Sequence, residues 1–412
     1  MNFKTSLKLI RRITRQLWVS VTLFAVLAVL TMALSVRLDD FIPVGLSARF
    51  TPDSVVPILT ILASSMLAVS TFSLNVMVTA HNAAASQATP RVRRILLQDT
   101  TTQRVLAAFI GTFVYSLSTI ILFKSGLHGP GTPFVVLVTI VAITLIVVIA
   151  ILRWIDHLSD LGSLDTSLRV TEAEVRPCIL SARRSPALGG SPLSKETIMP
   201  TDARPITAAR SGYVQFIDMA ALGEGMAQEN GQLYFSILPG DFVLEGQAIA
   251  HGVGVTDDEI DALRGHVVIG DLRTFEQDAG FGMLVFSEIA SRALSPGIND
   301  PGTAIDVIAR QQKLLWEWAH EARNDDAPPY PNIFMKPFSA EILVQGAFAS
   351  IARDGAATIE VSSRLLTALQ RLSVSPDKEM AQAAKEMAAR VSEHAEIGLV
   401  TESDKKRVRE LA

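Results

Sequence analysis

The stretch from Arg292 to Thr303, Arg-Ala-Leu-Ser-Pro-Gly-Ile-Asn-Asp-Pro-Gly-Thr, is where residue types and spacing best fit a binding site. Asp300 followed by Pro301 reads as an N-cap and an N1 proline, so a helix begins there. The free N–H groups of such an end attract anions. Arg292, with Arg273 upstream, supplies countercharge for a phosphate or carboxylate, and Ser295, Asn299 and Thr303 add neutral hydrogen-bonding groups. The competing reading is plain capping, in which Asp300 bonds the first turn and Arg292 pairs an acid. Asp300 would itself repel an anion. Other chemistry finds little support. Seven histidines, His81, His128, His157, His251, His266, His320 and His394, form no ligand spacing such as HExxH, and there is no GxSxG elbow, Walker A loop or GxGxxG. The single Cys178 excludes an intramolecular disulfide and a Cys-rich metal site. Asp156, His157 and Asp160 lie close in sequence but read as a solvated helix face. No catalytic residue, metal or cofactor is assigned.

A second pattern concerns transport rather than reaction. Thr60, Ser64, Thr71, Asn75, Thr79, Asn82 and Ser86 are separated by steps of four, seven, four, four, three and four, and share one face of a helix. Inside a membrane, a stripe of hydroxyls and amides hydrogen-bonds to a neighbouring helix or lines a watery path. Both readings remain open from sequence. No Asp, Glu, Lys or Arg falls within the apolar runs, so the charged relay of many pumps and coupled transporters is missing.

The elements that must position these residues follow from composition. Hydrophobic residues make up 49% and charged residues 19% of 412, with mean hydropathy +0.33, against about 25% charged in ordinary soluble domains. Four charge-poor runs, 17–36, 55–80, 105–123 and 132–152, are each long enough to cross a hydrocarbon layer of about 30 Å. Ala107 and Gly111 in the third have the small-xxx-small spacing of close helix approach, and the fourth is apolar all round, as for a lipid-facing helix. Lys4, Lys8, Arg11, Arg12 and Arg15 precede the first span, and Arg91, Arg93, Arg94 and Arg104 lie between the second and third. The positive-inside rule then places both termini in the cytoplasm of a cell whose inner membrane holds the chain, with Trp18 and Trp154 at headgroup level. Residues 1–16 read as a basic amphipathic segment on the leaflet surface.

Residues 1–152 carry 12 basic and 4 acidic side chains, and the rest 25 and 37. The acidic remainder argues against nucleic acid as a partner, since phosphate backbones are bound by clustered cations. From Arg153 a helical stalk runs to about Glu174, followed by a short strand-like Val175 to Ser181 and a Ser/Pro/Gly-rich linker, so that 153–205 is stalk and linker. Residues 206–255 read as β, and Gly240-Asp241-Phe242-Val243-Leu244-Glu245-Gly246-Gln247 resembles the GDxVxxGQ turn of biotinyl and lipoyl carrier barrels. No lysine lies between 205 and 255, which rejects a swinging-arm carrier and leaves a small barrel-like module. Residues 256–412 read as helical, with a helix over about 278–294, another from Pro301 to about Ala322, and further helices over 339–372, 376–395 and 401–411.

One string carries a resemblance across this part: Arg273-Thr274, Gln277-Asp278, Phe281-Gly282, Ile289-Ala290, then Arg292-Ala293-Leu294-Ser295-Pro296-Gly297-Ile298-Asn299-Asp300-Pro301 and Thr303-Ala304. With Ser86-Gln87, Pro90-Arg91, Asp99, Thr102 and Gly111-Thr112-Phe113, and with Ser211-Gly212-Tyr213-Val214 and Pro239-Gly240-Asp241-Phe242-Val243, it resembles the DUF2254 family of predicted bacterial membrane proteins. The resemblance implies a membrane protein and brings no mechanism. The expected architecture is therefore an α-helical polytopic membrane protein with four transmembrane helices over 17–152 and a cytoplasmic α+β part. That part comprises a small β-barrel-like module, of the barrel-sandwich-hybrid kind, followed by an all-helical domain. The expected partners are the lipid bilayer, further copies in a homo-oligomer, and an unidentified small ligand. Three functions stay open: a channel-like or transport-related oligomer with a ligand-sensing or assembly domain, a membrane-anchored signalling scaffold, and a membrane-bound enzyme.

Overall fold

The computed structural model describes residues 17–38, 42–43, 49–96, 100–126, 128–160, 162–194, 199–229, 231–324 and 326–411. The basic segment 1–16 and the acids Asp39, Asp40 and Asp99 lie outside them. The chain divides into two compact units, the first ending at Ser86 and resuming over Arg93–Thr166, the second made of Gln87–Val92 and Ser167–Ala412.

The first unit holds α1 (Leu17–Leu38), α2 (Pro52–Gln87), α3 (Pro90–Leu96), α4 (Thr100–Lys124) and α5 (Thr132–Asp160). Four stretches of these are long and apolar enough to cross a membrane: Trp18–Leu38, Pro52–Ala83, Thr101–Lys124 and Thr132–Leu158. The last three contain the expected runs 55–80, 105–123 and 132–152 and exceed them, because backbone hydrogen bonding continues past the point where charge-free composition stops, and the first overlaps all of 17–36 but its first residue. Span four differs from its expectation. Val136, Ile140, Ile143, Val147, Ala150 and Trp154, at alternating steps of four and three, are buried against the other spans, and only the opposite side, with Val138, Val141 and Leu145, is exposed. Trp154 is thus a core residue rather than a headgroup anchor, while Trp18 is exposed. Span one runs along span three. At their crossing a Cβ on Gly111 would fall 2.3 Å from the ring of Phe24, so this glycine lets the helices approach. A buried hydroxyl pair, Ser35 Oγ and Thr132 Oγ1 at 2.8 Å, ties the end of α1 to the start of α5.

The helix expected to run on as a stalk stops at Gly162, whose φ of +84° is the left-handed conformation glycine adopts freely. It restarts as α6 (Leu164–Arg184), and Val175 to Ser181, expected as strand, lies within it. Helical burial decides the matter: Leu168, Thr171, Val175, Cys178, Ile179 and Ala182 fill one face.

The β part is two open sheets, and neither closes into a barrel. Strands β1 (Gly190–Pro192), β2 (Arg204–Thr207), β4 (Gln232–Phe235), β6 (Ala248–Val253) and β8 (Tyr330–Met335) form a mixed sheet in the order β1-β8-β4-β6-β2. Strands β3 (Gly212–Ile217), β5 (Phe242–Val243) and β7 (Val267–Gly270) form an antiparallel one, ordered β5-β3-β7. Helix α7 (Met219–Glu229) interrupts the stretch read as β, and α8 (Asp257–Gly265) precedes β7. The two sheets share one core, with Val214, Ile217, Leu233, Val243, Ile249 and Ile333 all fully or almost fully buried.

The helical part comprises α9 (Ala279–Ala293), α10 (Pro301–His320), α11 (Ala340–Asp354), α12 (Ile359–Leu372), α13 (Lys378–Gly398) and α14 (Glu402–Leu411). The helix expected over 339–372 is two, broken after Gly355, where a Cβ would meet Val361 at 2.5 Å. Asp278, Asp300, Ser339 and Asp377 each cap a helix by accepting the N–H of the residue three positions on.

Two ion-pair centres join α6 to the helices around it. Glu172 accepts from Arg176 and Lys313 at 2.8 Å and from Arg310 at 3.1 Å. Arg183, almost completely buried over the ring of Trp318, meets Asp377 at 2.7 Å. Burial pushes both carboxyls up, but Lys313, Arg176 and Arg310 outweigh it at Glu172, and the Met380 N–H and Arg183 at Asp377, so both titrate below their ordinary values of 4.5 and 3.8. A depressed folded-state pKa contributes stability that is present above the unfolded value and lost as pH falls through the folded one. The melting temperature of the full-length protein in detergent should therefore hold level down to about pH 5 and fall below about pH 4. A Glu172→Gln/Asp377→Asn variant should melt lower at neutral pH and lose less in acid. Equal acid slopes for the two proteins would contradict this assignment.

Candidate functional site

Thr60, Ser64, Thr71, Asn75, Thr79 and Asn82 are all exposed on α2, on a face left open by the described residues. Ser86 lies in the same helix, but its side chain is outside the described residues. The hydroxyls are satisfied within their own helix: Thr60, Thr71 and Thr79 donate to the carbonyls of Val56, Leu67 and Asn75 at 2.9 Å, and Ser64 to that of Ile61 at 3.1 Å. The amides of Asn75 and Asn82 meet no partner among the described residues. Measured from the middle of Pro52–Ala83, Asn75 stands about 11 Å along the axis and Asn82 about 22 Å, at 1.5 Å per residue. The hydrocarbon half-thickness is about 15 Å, so on a helix centred in the bilayer Asn75 falls inside it and Asn82 about 7 Å beyond it.

In the second unit Arg273 and Asp278 form a closed pair. Asp278, 3% exposed, accepts from Arg273 Nε at 2.7 Å, from its terminal nitrogen at 2.9 Å and from the Phe281 N–H at 2.9 Å. The guanidinium carbon of Arg273 lies 5.0 Å from the centre of the Phe281 ring and that of Arg91 5.8 Å, two cation–π contacts on one aromatic. Arg91 also pairs with Glu288, and the segment Gln87–Val92 belongs to this unit. Gly240 completes the centre. Its φ is +97°, and a Cβ there would overlap the Asp278 carboxylate. Burial raises the Asp278 carboxyl above its ordinary value, against the pull of Arg273 and the Phe281 N–H.

The Arg292–Thr303 stretch forms an exposed turn at the other end of α9. That helix has 15 residues and is about 22 Å long, so Arg273 and Arg292 are not brought together. Asp300 caps α10, accepting the Thr303 N–H at 3.1 Å and its hydroxyl at 2.6 Å, and these bonds, hydroxyl first, hold its carboxyl below the ordinary range. Ser295 donates to the Arg292 carbonyl at 2.7 Å, and Asn299 adopts φ +51° to bring its N–H to the Ser295 carbonyl at 2.9 Å. Arg292 is exposed and has no partner among the described residues.

Cys178 borders an open cleft of about 380 Å³ with Phe216, Asp218, Glu276 and Tyr330. Burial, then the charges of Asp278 and Glu174, push its thiol up to about 12, so at neutral pH it is an unreactive, protonated side chain. Among the described residues no three of His, Cys, Asp and Glu could hold a metal ion. In the sequence Phe281 stands within the family resemblance, and Arg91 there and as a topology charge. Their pairing with Arg273 and Glu288 joins distant segments, and no local spacing signals it.

Comparisons with known proteins agree with the membrane reading. The sequence model of the DUF2254 family, described as predicted membrane proteins, matches residues 14–371. Uncharacterized proteins of two Mycobacterium tuberculosis strains and of Mycobacterium bovis are 30% identical over 289 residues, which cover 67% of this chain. The match covers 54% of each relative, so the chain spans about half their length. No solved structure matches the chain.

Proposed function

The chain belongs to the DUF2254 family of predicted membrane proteins, and on that premise we propose that it forms a homo-oligomer whose second spans turn their polar faces to one another and line a passive, channel-like path. The observation that carries this reading is the exposure of Thr60, Ser64, Thr71, Asn75, Thr79 and Asn82 in the single chain. An unpartnered amide at the depth of Asn75 is costly in hydrocarbon. Another chain or a water column would satisfy it, each worth about 1 kcal/mol or more per bond. The lack of charge within the apolar runs 17–36, 55–80, 105–123 and 132–152 fits conduction without coupling. The basic flanks support an inner membrane with both termini in the cytoplasm. The second unit then assembles the oligomer or senses a ligand, and Arg292, exposed and unpaired among the described residues, stands beside Ser295, Asn299 and Thr303 as a cation open to one.

A second reading has one observation in its favour. The stripe hydroxyls already bond their own helix, so the face can also pack dry between copies of a signalling scaffold. A Thr71→Leu/Asn75→Leu variant separates the two, with subunit number read by native mass spectrometry and potassium flux read in liposomes. Flux lower by about tenfold or more with the subunit number unchanged is the expected result. Dissociation would favour the scaffold, and unchanged flux and assembly would overturn both.

A further inference from the structure

The second part of the chain is acidic, with 37 acidic to 25 basic residues beyond position 152, yet one cleft in it gathers two arginines and a lysine with no carboxylate in its lining. It is an open hollow of about 440 Å³ between α10 and α12, bordered by Gln312, Lys313 and Trp316 on one side and by Arg364, Arg371 and Val374 on the other. Arg364 and Arg371 are seven residues apart and share a face of α12. Neither pairs with an acid among the described residues. The Nε of Arg364 is shielded from solvent and has no acceptor among the described residues, a donor group left unsatisfied there. Lys313 is already committed to Glu172 at 2.8 Å, so the free positive charge is that of the two guanidiniums. Beside them stand exposed apolar surfaces: Trp316 is 38% and Val374 76% exposed.

We propose that this cleft binds a small phosphate-bearing molecule with a flat or apolar body. Its phosphate oxygens take the N–H groups of Arg364 and Arg371, and its body lies against the indole of Trp316 and the side chain of Val374. Guanidinium forks match the oxygens of a tetrahedral phosphate better than any neutral group in the lining, and an aromatic wall next to two cations is the pairing that a mononucleotide-like ligand uses. The site lies wholly within the second unit. It stands or falls independently of any oligomer or path in the membrane.

The test uses the full-length protein in phosphatidylcholine nanodiscs, with labelled adenosine 5′-monophosphate and inorganic phosphate followed by equilibrium dialysis. The wild type should bind both saturably. Arg371→Gln changes an exposed side chain and should leave the fold intact while weakening both probes by about tenfold or more. Trp316→Leu should weaken the nucleotide and spare inorganic phosphate. Repeating the titration in nanodiscs containing phosphatidylglycerol separates two sources of the same chemistry: competition by the lipid assigns a headgroup, and undiminished nucleotide binding assigns a free ligand. Wild-type binding of neither probe, or equal binding by wild type and Arg371→Gln, would overturn the proposal.

Discussion

Replacing Asp278 with alanine is expected to destabilise the second unit by about 3 kcal/mol or more. Removing one partner of a buried ion pair costs about 3–5 kcal/mol because the other charge is left uncompensated. Here Arg273 retains 26% exposure and regains some water, which favours the lower end. Loss of the cap on the Phe281 N–H contributes about 1 kcal/mol of the total. Asp278→Asn keeps an oxygen for that N–H and should cost less. Cys178 supplies the readout: it is the one cysteine in the chain, buried in the same unit with its thiol raised to about 12. Alkylation then tracks opening of this unit along a urea titration. A shift below about 1 kcal/mol for Asp278→Ala would mean that the pair is not the anchor described here.

Gly111→Leu should disrupt the four-span unit about as strongly. The space a Cβ needs is held by the Phe24 ring at 2.3–2.8 Å, so spans one and three must separate or Phe24 must leave its place. Overpacking of this kind costs about 1–3 kcal/mol in well-packed cores, and in a membrane close contact between small residues supplies much of the association. The expected result is a lower midpoint on unfolding in mixed detergent micelles, with Phe24→Ala recovering most of the loss when the two changes are combined. Such non-additivity is the mark of direct contact. Additive effects would show that Gly111 and Phe24 act separately.

What the sequence revealed about this protein follows the range of the interaction. The spans were legible because a membrane demands long runs free of charge, and Asp300 with Pro301 was legible because capping is settled within four residues. The polar face of span two was visible as a period, but not its exposure, which depends on which side of α2 the other helices use. Strand β8 lies between two expected helices, where no strand was read, since its pairing, Leu233 with Ile333 and Phe235 with Met335, joins residues about a hundred positions apart. The β-branched Val175 and Ile179 pointed to a strand, and burial along α6 overrode that local preference. Arg273 and Arg292 were drawn into one anion site by composition, and the length of α9 separates them. Arg364 and Arg371 carry a helical spacing anyone could count. That they face Trp316 is a property of how α10 meets α12.

The proposed oligomer with a shared polar axis is tested most directly by an electron-microscopy structure in lipid nanodiscs that locates Ser64, Thr71, Asn75 and Thr79. The account predicts several chains around one axis, with these side chains of every second span turned inward and Asn75 meeting water or its copies. A monomer, or an assembly in which this face still points to lipid, would contradict it.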